Sequence, residues 1–215
     1  MAGIVDQLTN DISVKIARGE LVPGQQLHEH AFCSEFGVSR NTLREAFRIV
    51  CAQGLAVHYP RRGVFIREIH EEDLADIYAY RRFVELGALR TLPPHETCRI
   101  MLEACDEAEA ARTEGDWQAV GTANSKFHLA LVDGVGCERL SQDMRLIMAQ
   151  ARLAFMTPTD WSISHSPFVD ANRAIANALS RGELDKAYIL LEDYFHQAEA
   201  VIRDEVVNRG EYSSY

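Results

Sequence analysis

Apolar residues recur at helical spacing from the first turns of the chain, with Ile4, Val5, Leu8, Ile12 and Ile16 on one stripe. Gly19 stops that segment, and Pro23-Gly24 makes a turn. A second, short helix is expected over Leu27 to Phe36, with Ala31, Phe32 and Phe36 inward, closed by a tight turn at Gly37-Val38. Ser39 opens a third helix, because its hydroxyl can accept one of the orphan N–H groups of a first turn. Leu43, Phe47, Ile49, Val50 and Leu55 form the apolar face of that third segment, and Gly54 ends the helix. Ala56 to Tyr59 and Gly63 to Ile66 are short enough for two strands of a hairpin tipped by Arg61-Arg62-Gly63.

After Arg67 the pattern changes to Ala, Leu, Glu and Arg at helical period, interrupted by prolines and glycines. Six helices are expected, at about 72–91, 95–114, 116–134, 138–157, 168–181 and 183–208. Their breaks fall at Pro93-Pro94, Glu114-Gly115, Gly134 to Gly136, a loop from Thr157 to Pro167, and Gly182. The fold class is therefore mainly α. An N-terminal winged helix-turn-helix (three helices plus a two-stranded wing) in residues 1–70 precedes an all-α antiparallel bundle of about six helices in residues 71–215. The junction near Ile69 to Glu72 is too short for a free tether, so the two parts should communicate mechanically.

Composition narrows the class without changing it. At 47% hydrophobic and 25% charged residues the chain reads as a soluble globular protein. No run approaches the ~18 apolar residues of a membrane span, and nothing at Met1 resembles a secretory signal. A cytoplasmic location with no membrane partner is expected. The five cysteines (Cys33, Cys51, Cys98, Cys105, Cys137) form no C-x-x-C pair, so reduced and mostly buried thiols are expected rather than a metal or redox centre.

The net charge of −10 looks wrong for a polyanion binder until it is divided along the chain. Arg40, Arg44, Arg48, Arg61, Arg62 and Arg67 crowd between residues 39 and 67 with Glu45 as the lone acid, and the acidic excess lies beyond residue 70. Screening over ~10 Å lets a compact positive patch hold phosphates on an acidic body. Within the patch, the Ser39 and Thr42 hydroxyls and the helix amides suit phosphate oxygens. Arg40 and Arg44 can each fork onto guanine O6 and N7, and Asn41 can pair with adenine. Arg62 and Gly63, at the wing tip, suit the minor groove. Double-stranded operator DNA is the partner these residues imply.

The segments Gly19-Glu20-Leu21-Val22-Pro23-Gly24, Leu27, Glu29, Gly37 to Ala46, Gly54-Leu55 and Arg62 to Ile66 resemble the DNA-binding domain of GntR-type bacterial transcription regulators. Asn41-Thr42-Leu43 is nearer the FadR branch than the commoner Thr-Pro-Val. His30 stands where FadR-like members use an arginine on DNA. The helical remainder resembles the FadR C-terminal ligand-binding (FCD) domain, whose opening R-x-x-x-E signature is met by Arg81 and Glu85.

That resemblance implies a ligand-responsive regulator: a homodimeric repressor on a pseudo-palindromic operator, released by a small carboxylate. It also implies where the ligand sits. Many FCD domains bind a divalent cation through an Asp, its i+4 His and two further histidines, whereas this chain carries Asn124, His128, Asn172 and Tyr194 at those positions. His128 alone is kept, with His165 a spare candidate. No cofactor is therefore expected, a divalent metal at His128 being the alternative. Arg81, Asn124, His128, Asn172 and Tyr194 are expected to receive an anion directly. The rival functions are a metal-dependent helical enzyme tethered to DNA and a constitutive DNA binder with a vestigial sensor domain. No nucleophile-base-orienter set supports catalysis.

Overall fold

The computed structural model describes residues 3–91, 95–156 and 161–212. Helix α1 (Ile4–Ala17) buries Leu8, Ile12 and Ile16 against α3 (Arg40–Ala52), whose inner face is Leu43, Ala46, Phe47 and Val50. Between them lie β1 (Gln26–Leu27) and α2 (Glu29–Phe36). Gly37 at φ 64° ends α2 in the left-handed conformation that lets the chain turn directly into α3. Ile4, at the start of the expected stripe, stays exposed.

The wing hairpin is β2 (Ala56–Tyr59) paired antiparallel with β3 (Gly63–Ile66). A third strand joins it: β1 pairs with β3 in the register Gln26↔Phe65 and Leu27↔Val64, giving the order β1-β3-β2. Leu27 therefore belongs to the sheet rather than to α2, and Ala31 is exposed. The four-residue spacing of Leu27 and Ala31 imitates a helical face, but Leu27 is buried by the sheet it enters.

The remaining helices are α4 (Glu71–Leu89), α5 (His95–Glu114), α6 (Trp117–Asp133), α7 (Glu138–Phe155), α8 (Trp161–Ser180) and α9 (Leu184–Tyr212). Six helices thus follow the wing among the described residues. The expected loop through Pro167 is a loop only in part. Residues 157–160 lie outside the described residues, while 161–167 form the first turns of α8. Pro167 sits exposed on the outer side of α8, where the carbonyl it leaves unpaired can meet water. On the opposite side His165, Phe168, Val169 and Asn172 are buried at helical spacing. All five cysteines are free.

The two parts meet through α1, which packs on α7. Two glutamines of the bundle cap helices of the first part. Gln118 Nε2 donates to the Arg18 carbonyl at the end of α1 (2.7 Å), and Gln150 Nε2 donates to the Gln53 carbonyl at the end of α3 (2.7 Å). These carbonyls are the acceptors that a helix end leaves without an intrahelical partner.

Candidate DNA interface and buried cavity

Ser39 caps α3 in extended conformation, its Oγ accepting the Thr42 N–H at 3.2 Å and sharing a hydrogen bond with Thr42 Oγ1 at 2.9 Å. One of the two hydroxyl protons is used between them, which leaves the other for a phosphate oxygen. Arg40, Asn41 and Arg44 are exposed on the first turns of α3. Arg44 is already engaged: its Nε and Nη2 donate to the two carboxylate oxygens of Glu29 at 2.8 and 3.1 Å.

At the wing tip the Arg62 N–H donates to the Tyr59 carbonyl, closing a turn through Pro60 and Arg61. Arg61 sits at φ 65°, the one non-glycine residue with positive φ among the described residues. A side chain there costs roughly 1–2 kcal/mol, and Arg61 stands beside Arg62 at the wing tip, where the sequence Arg61-Arg62-Gly63 places it. Gly63 follows at φ 101°. The Arg62 guanidinium lies 5.6 Å from the ring centres of both Tyr59 and Phe65, and its carbonyl accepts from Gln26 Nε2 of β1. The third strand thereby fixes the wing tip.

The expected ligand residues converge inside the bundle, though not all on one surface. A cavity of about 20 Å³ is walled by Arg81, Asn124 and Asn172 together with Gly121, Arg152 and His165. His128 and Tyr194 lie behind that wall. Asn124 Oδ1 accepts from Asn172 Nδ2 (2.7 Å) and from the Tyr194 hydroxyl (3.2 Å). Arg81 Nε donates to Glu85 (2.9 Å), and the other Glu85 oxygen accepts from His128 Nδ1 (2.5 Å). All three side chains of this chain of contacts are fully buried. Arg81 Nη1 and Nη2, His128 Nε2 and Asn172 Oδ1 make no hydrogen bond among the described residues.

Sequence reasoning missed Arg152. It is buried on α7, directs Nη1 to His165 Nε2 (3.0 Å) and donates Nη2 to the Gln118 carbonyl (3.0 Å). Gly121 makes its room, since a Cβ there would stand 1.6 Å from Arg152 Nη1. The glycine inside α6 was the available signal. His165, the spare candidate, does reach the cavity, because α8 begins early enough to carry it.

Burial works to raise the Glu85 carboxyl, but Arg81 and His128 outweigh it and hold the group below its ordinary 4.5. Burial lowers His128 from its ordinary 6.5, with Glu85 partly opposing. It also pushes the Arg152 guanidinium down to about 10. The His128 ring is therefore neutral near pH 7, and because ionised Glu85 only accepts, its proton sits on Nδ1 and Nε2 is a bare acceptor.

A stability loss on acidification follows. Below pH 6.5 the unfolded His128 binds a proton that the buried ring refuses, so stability falls with pH toward the folded value, by at most ~1.4 kcal/mol per pH unit. The Glu85 contribution has the same sign but is lost only as pH drops below about 4.5. Urea melts between pH 7 and pH 5 on wild type and His128→Gln should show a shallower slope for the variant. Equal slopes would remove His128 as the source.

The residues fit a divalent cation poorly. Asn124 Oδ1 is already taken by two donors, burial holds Tyr194 as a phenol by raising its pKa, and the Arg81 cation stands beside them. Only the pairing of His128 Nδ1 with a carboxylate matches a metal-site arrangement.

Residues 4–66 match the model for bacterial regulatory proteins of the gntR family, and residues 76–197 match the FCD domain. A solved GntR transcriptional regulator from Rhodococcus sp. RHA1 is 34% identical, with a TM-score of 0.84 over 92% of this chain and 96% of that one. A protein of Paenarthrobacter nicotinovorans named "Probable D-xylose utilization operon transcriptional repressor" is 26% identical, over 86% of this chain and 82% of its own length. The galactonate operon transcriptional repressor of Escherichia coli is 25% identical, over 70% and 75%. These relatives are transcription regulators rather than enzymes. With the winged helix-turn-helix and the helical domain both matched, this chain belongs to the GntR family as a DNA-binding transcription regulator with an FCD domain.

Proposed function

We propose that this regulator is a cytoplasmic homodimeric repressor, with residues 1–70 reading a pseudo-palindromic operator and residues 71–215 sensing a small carboxylate that releases it. Ser39, Arg40, Asn41, Thr42, Arg44, Arg62 and Gly63 meet DNA. Arg81, Asn124, His128, Asn172 and Tyr194 form the ligand site, with no cofactor. Two half-sites are needed because one reading helix touches too few base pairs for specificity. Among the described residues no helix is long and apolar enough to cross a membrane.

The observation that carries the ligand reading is Arg81. Its guanidinium is fully buried, its Nε is held by Glu85, and its two outer nitrogens have no hydrogen-bond partner among the described residues while the side chain walls a cavity. A carboxylate accepts such a fork with two parallel bonds. Asn172 Oδ1, also unpartnered, would accept from a hydroxyl of the same ligand. One relative is named for the operon of galactonate, itself a hydroxylated carboxylate. The cavity is of the size of a single water, so ligand entry must spread the helices around it. Arg152, Gln118 and Gln150 carry that movement to the ends of α1 and α3.

Thermal-shift and DNA-binding titrations with aliphatic, hydroxy and sugar acids, each beside its uncharged amide, test this reading. An effective acid at a hundredfold its Kd should stabilise the protein by ~2.7 kcal/mol and weaken DNA binding, while its amide does neither. The charge-balanced double variant Arg81→Gln/Glu85→Gln should remain folded and lose both effects. A flat response of the wild type to the whole panel would leave a constitutive DNA binder.

A further inference from the structure

The ion pair between Glu29 of α2 and Arg44 of α3 spans two elements and faces solvent. The side chains are 37% and 61% exposed, so screening leaves the pair little to contribute to stability. Its geometry is more informative than its energy. Glu29 takes the side edge of the guanidinium, Nε at 2.8 Å and Nη2 at 3.1 Å. Of the five N–H donors of an arginine that leaves three, including the outward pair on Nη1 and Nη2. That outward pair is the fork that fits guanine O6 and N7. A side-on carboxylate and an end-on base can therefore occupy the same guanidinium together.

Glu29 is also chemically out of place on a surface meant for phosphate. It sits on the short helix that precedes the reading helix, and Arg40 as well as Arg44 acts on its carboxyl to hold it below the ordinary 4.5. A carboxylate there repels DNA of every sequence alike. Its presence makes sense where what it gains is direction: a long, flexible arginine held with its fork pointing outward before DNA arrives.

We propose that Glu29 is a specificity-determining positioning residue, which locks Arg44 side-on so that its free fork reads one guanine of each half-site. This rests on the reading of α3 as the base-contacting helix. It assigns Glu29 different effects on matched and unmatched DNA. Losing the carboxylate weakens recognition of the guanine and, by removing a negative charge, leaves binding to unmatched duplex unchanged or stronger.

The test is selection of bound duplexes from a random-sequence library by the full-length wild type, Arg44→Ala, Glu29→Gln and Glu29→Ala, with melts confirming that each is folded. Affinities are then measured for the selected duplex and for a scrambled one. Arg44→Ala should lose the preference at one guanine position. Both Glu29 variants should lose about tenfold of the preference at that same position and keep the others, without weaker binding to the scrambled duplex. If Arg44→Ala changes no position, α3 does not read bases through Arg44, and both that reading and the role of Glu29 fall. If Arg44→Ala removes a guanine and the Glu29 variants keep it, the positioning role alone is overturned. A uniform loss at all positions, or an equal gain on both duplexes, would make Glu29 a structural or purely electrostatic residue and overturn the proposal as well.

Discussion

Glu85→Ala is expected to cost about 3–5 kcal/mol of folding stability, the range for breaking a buried ion pair by removing one partner. In a chain of this size that lowers Tm by roughly 10 °C. The reason is the number of groups that depend on one carboxylate. Glu85 is fully buried and accepts from Arg81 Nε on one oxygen and from His128 Nδ1 on the other. Without it, Arg81 keeps the faces of Tyr78, Tyr194 and Phe195, at 5.4, 5.9 and 5.3 Å, and the neighbouring Tyr194 hydroxyl as compensation for its charge. Those ring contacts are worth about 2 kcal/mol each when desolvated, but they offer no anionic partner to the Nε–H that Glu85 releases. The His128 donor would be orphaned at the same time.

The double variant Arg81→Met/Glu85→Ala separates pairing from packing. Removing both charges leaves no uncompensated ion, so it should recover most of the loss and be more stable than Glu85→Ala alone. Chemical denaturation of the two variants beside wild type decides it. A loss under about 1 kcal/mol for the single variant, or a double variant weaker than the single, would show that the pair is not the electrostatic centre of the bundle.

Much of this architecture was legible because helical periodicity is a local signal. The stripe through Leu8, Ile12 and Ile16, the Ser39 cap and the glycine at 37 each need only a few neighbouring residues to be read. What escaped depends on contacts distant in sequence. Leu27 entered a sheet because Val64 was available to pair with it. The first turns of α8 formed across Pro167 because His165, Phe168 and Asn172 had somewhere to be buried. The Arg81–Glu85 contact was visible as an i, i+4 spacing, whereas His128 reaching the same carboxylate is a contact over 43 residues. Likewise Glu29 and Arg44 are 15 residues apart on different helices, so α3 was legible as a helix while the state of its Arg44 was not.

Gly121→Ala should change sign with its background. In the wild type, a Cβ 1.6 Å from Arg152 Nη1 forces a buried guanidinium to move. The displaced arginine gives up its hydrogen bond to the Gln118 carbonyl and its contact with His165. Overpacking of this kind costs about 1–3 kcal/mol. In an Arg152→Ala background the obstacle is gone, and the same substitution in the interior of α6 should stabilise by up to ~1 kcal/mol through helix propensity. The two substitutions should therefore couple by about 2–4 kcal/mol, far beyond the few tenths expected of independent sites. Gln118 gives this coupling a functional side. Its carbonyl receives Arg152 and its amide caps α1 at Arg18, so displacing Arg152 disturbs the join between the helical bundle and the winged helix-turn-helix. Gly121→Ala should then also diminish the response of DNA binding to an effective acid. Gln118→Ala should diminish it too, while leaving acid binding itself in place. Strict additivity in the denaturation cycle would mean that α6 and α7 yield around the new methyl group, and that Gly121 is not what makes room for Arg152.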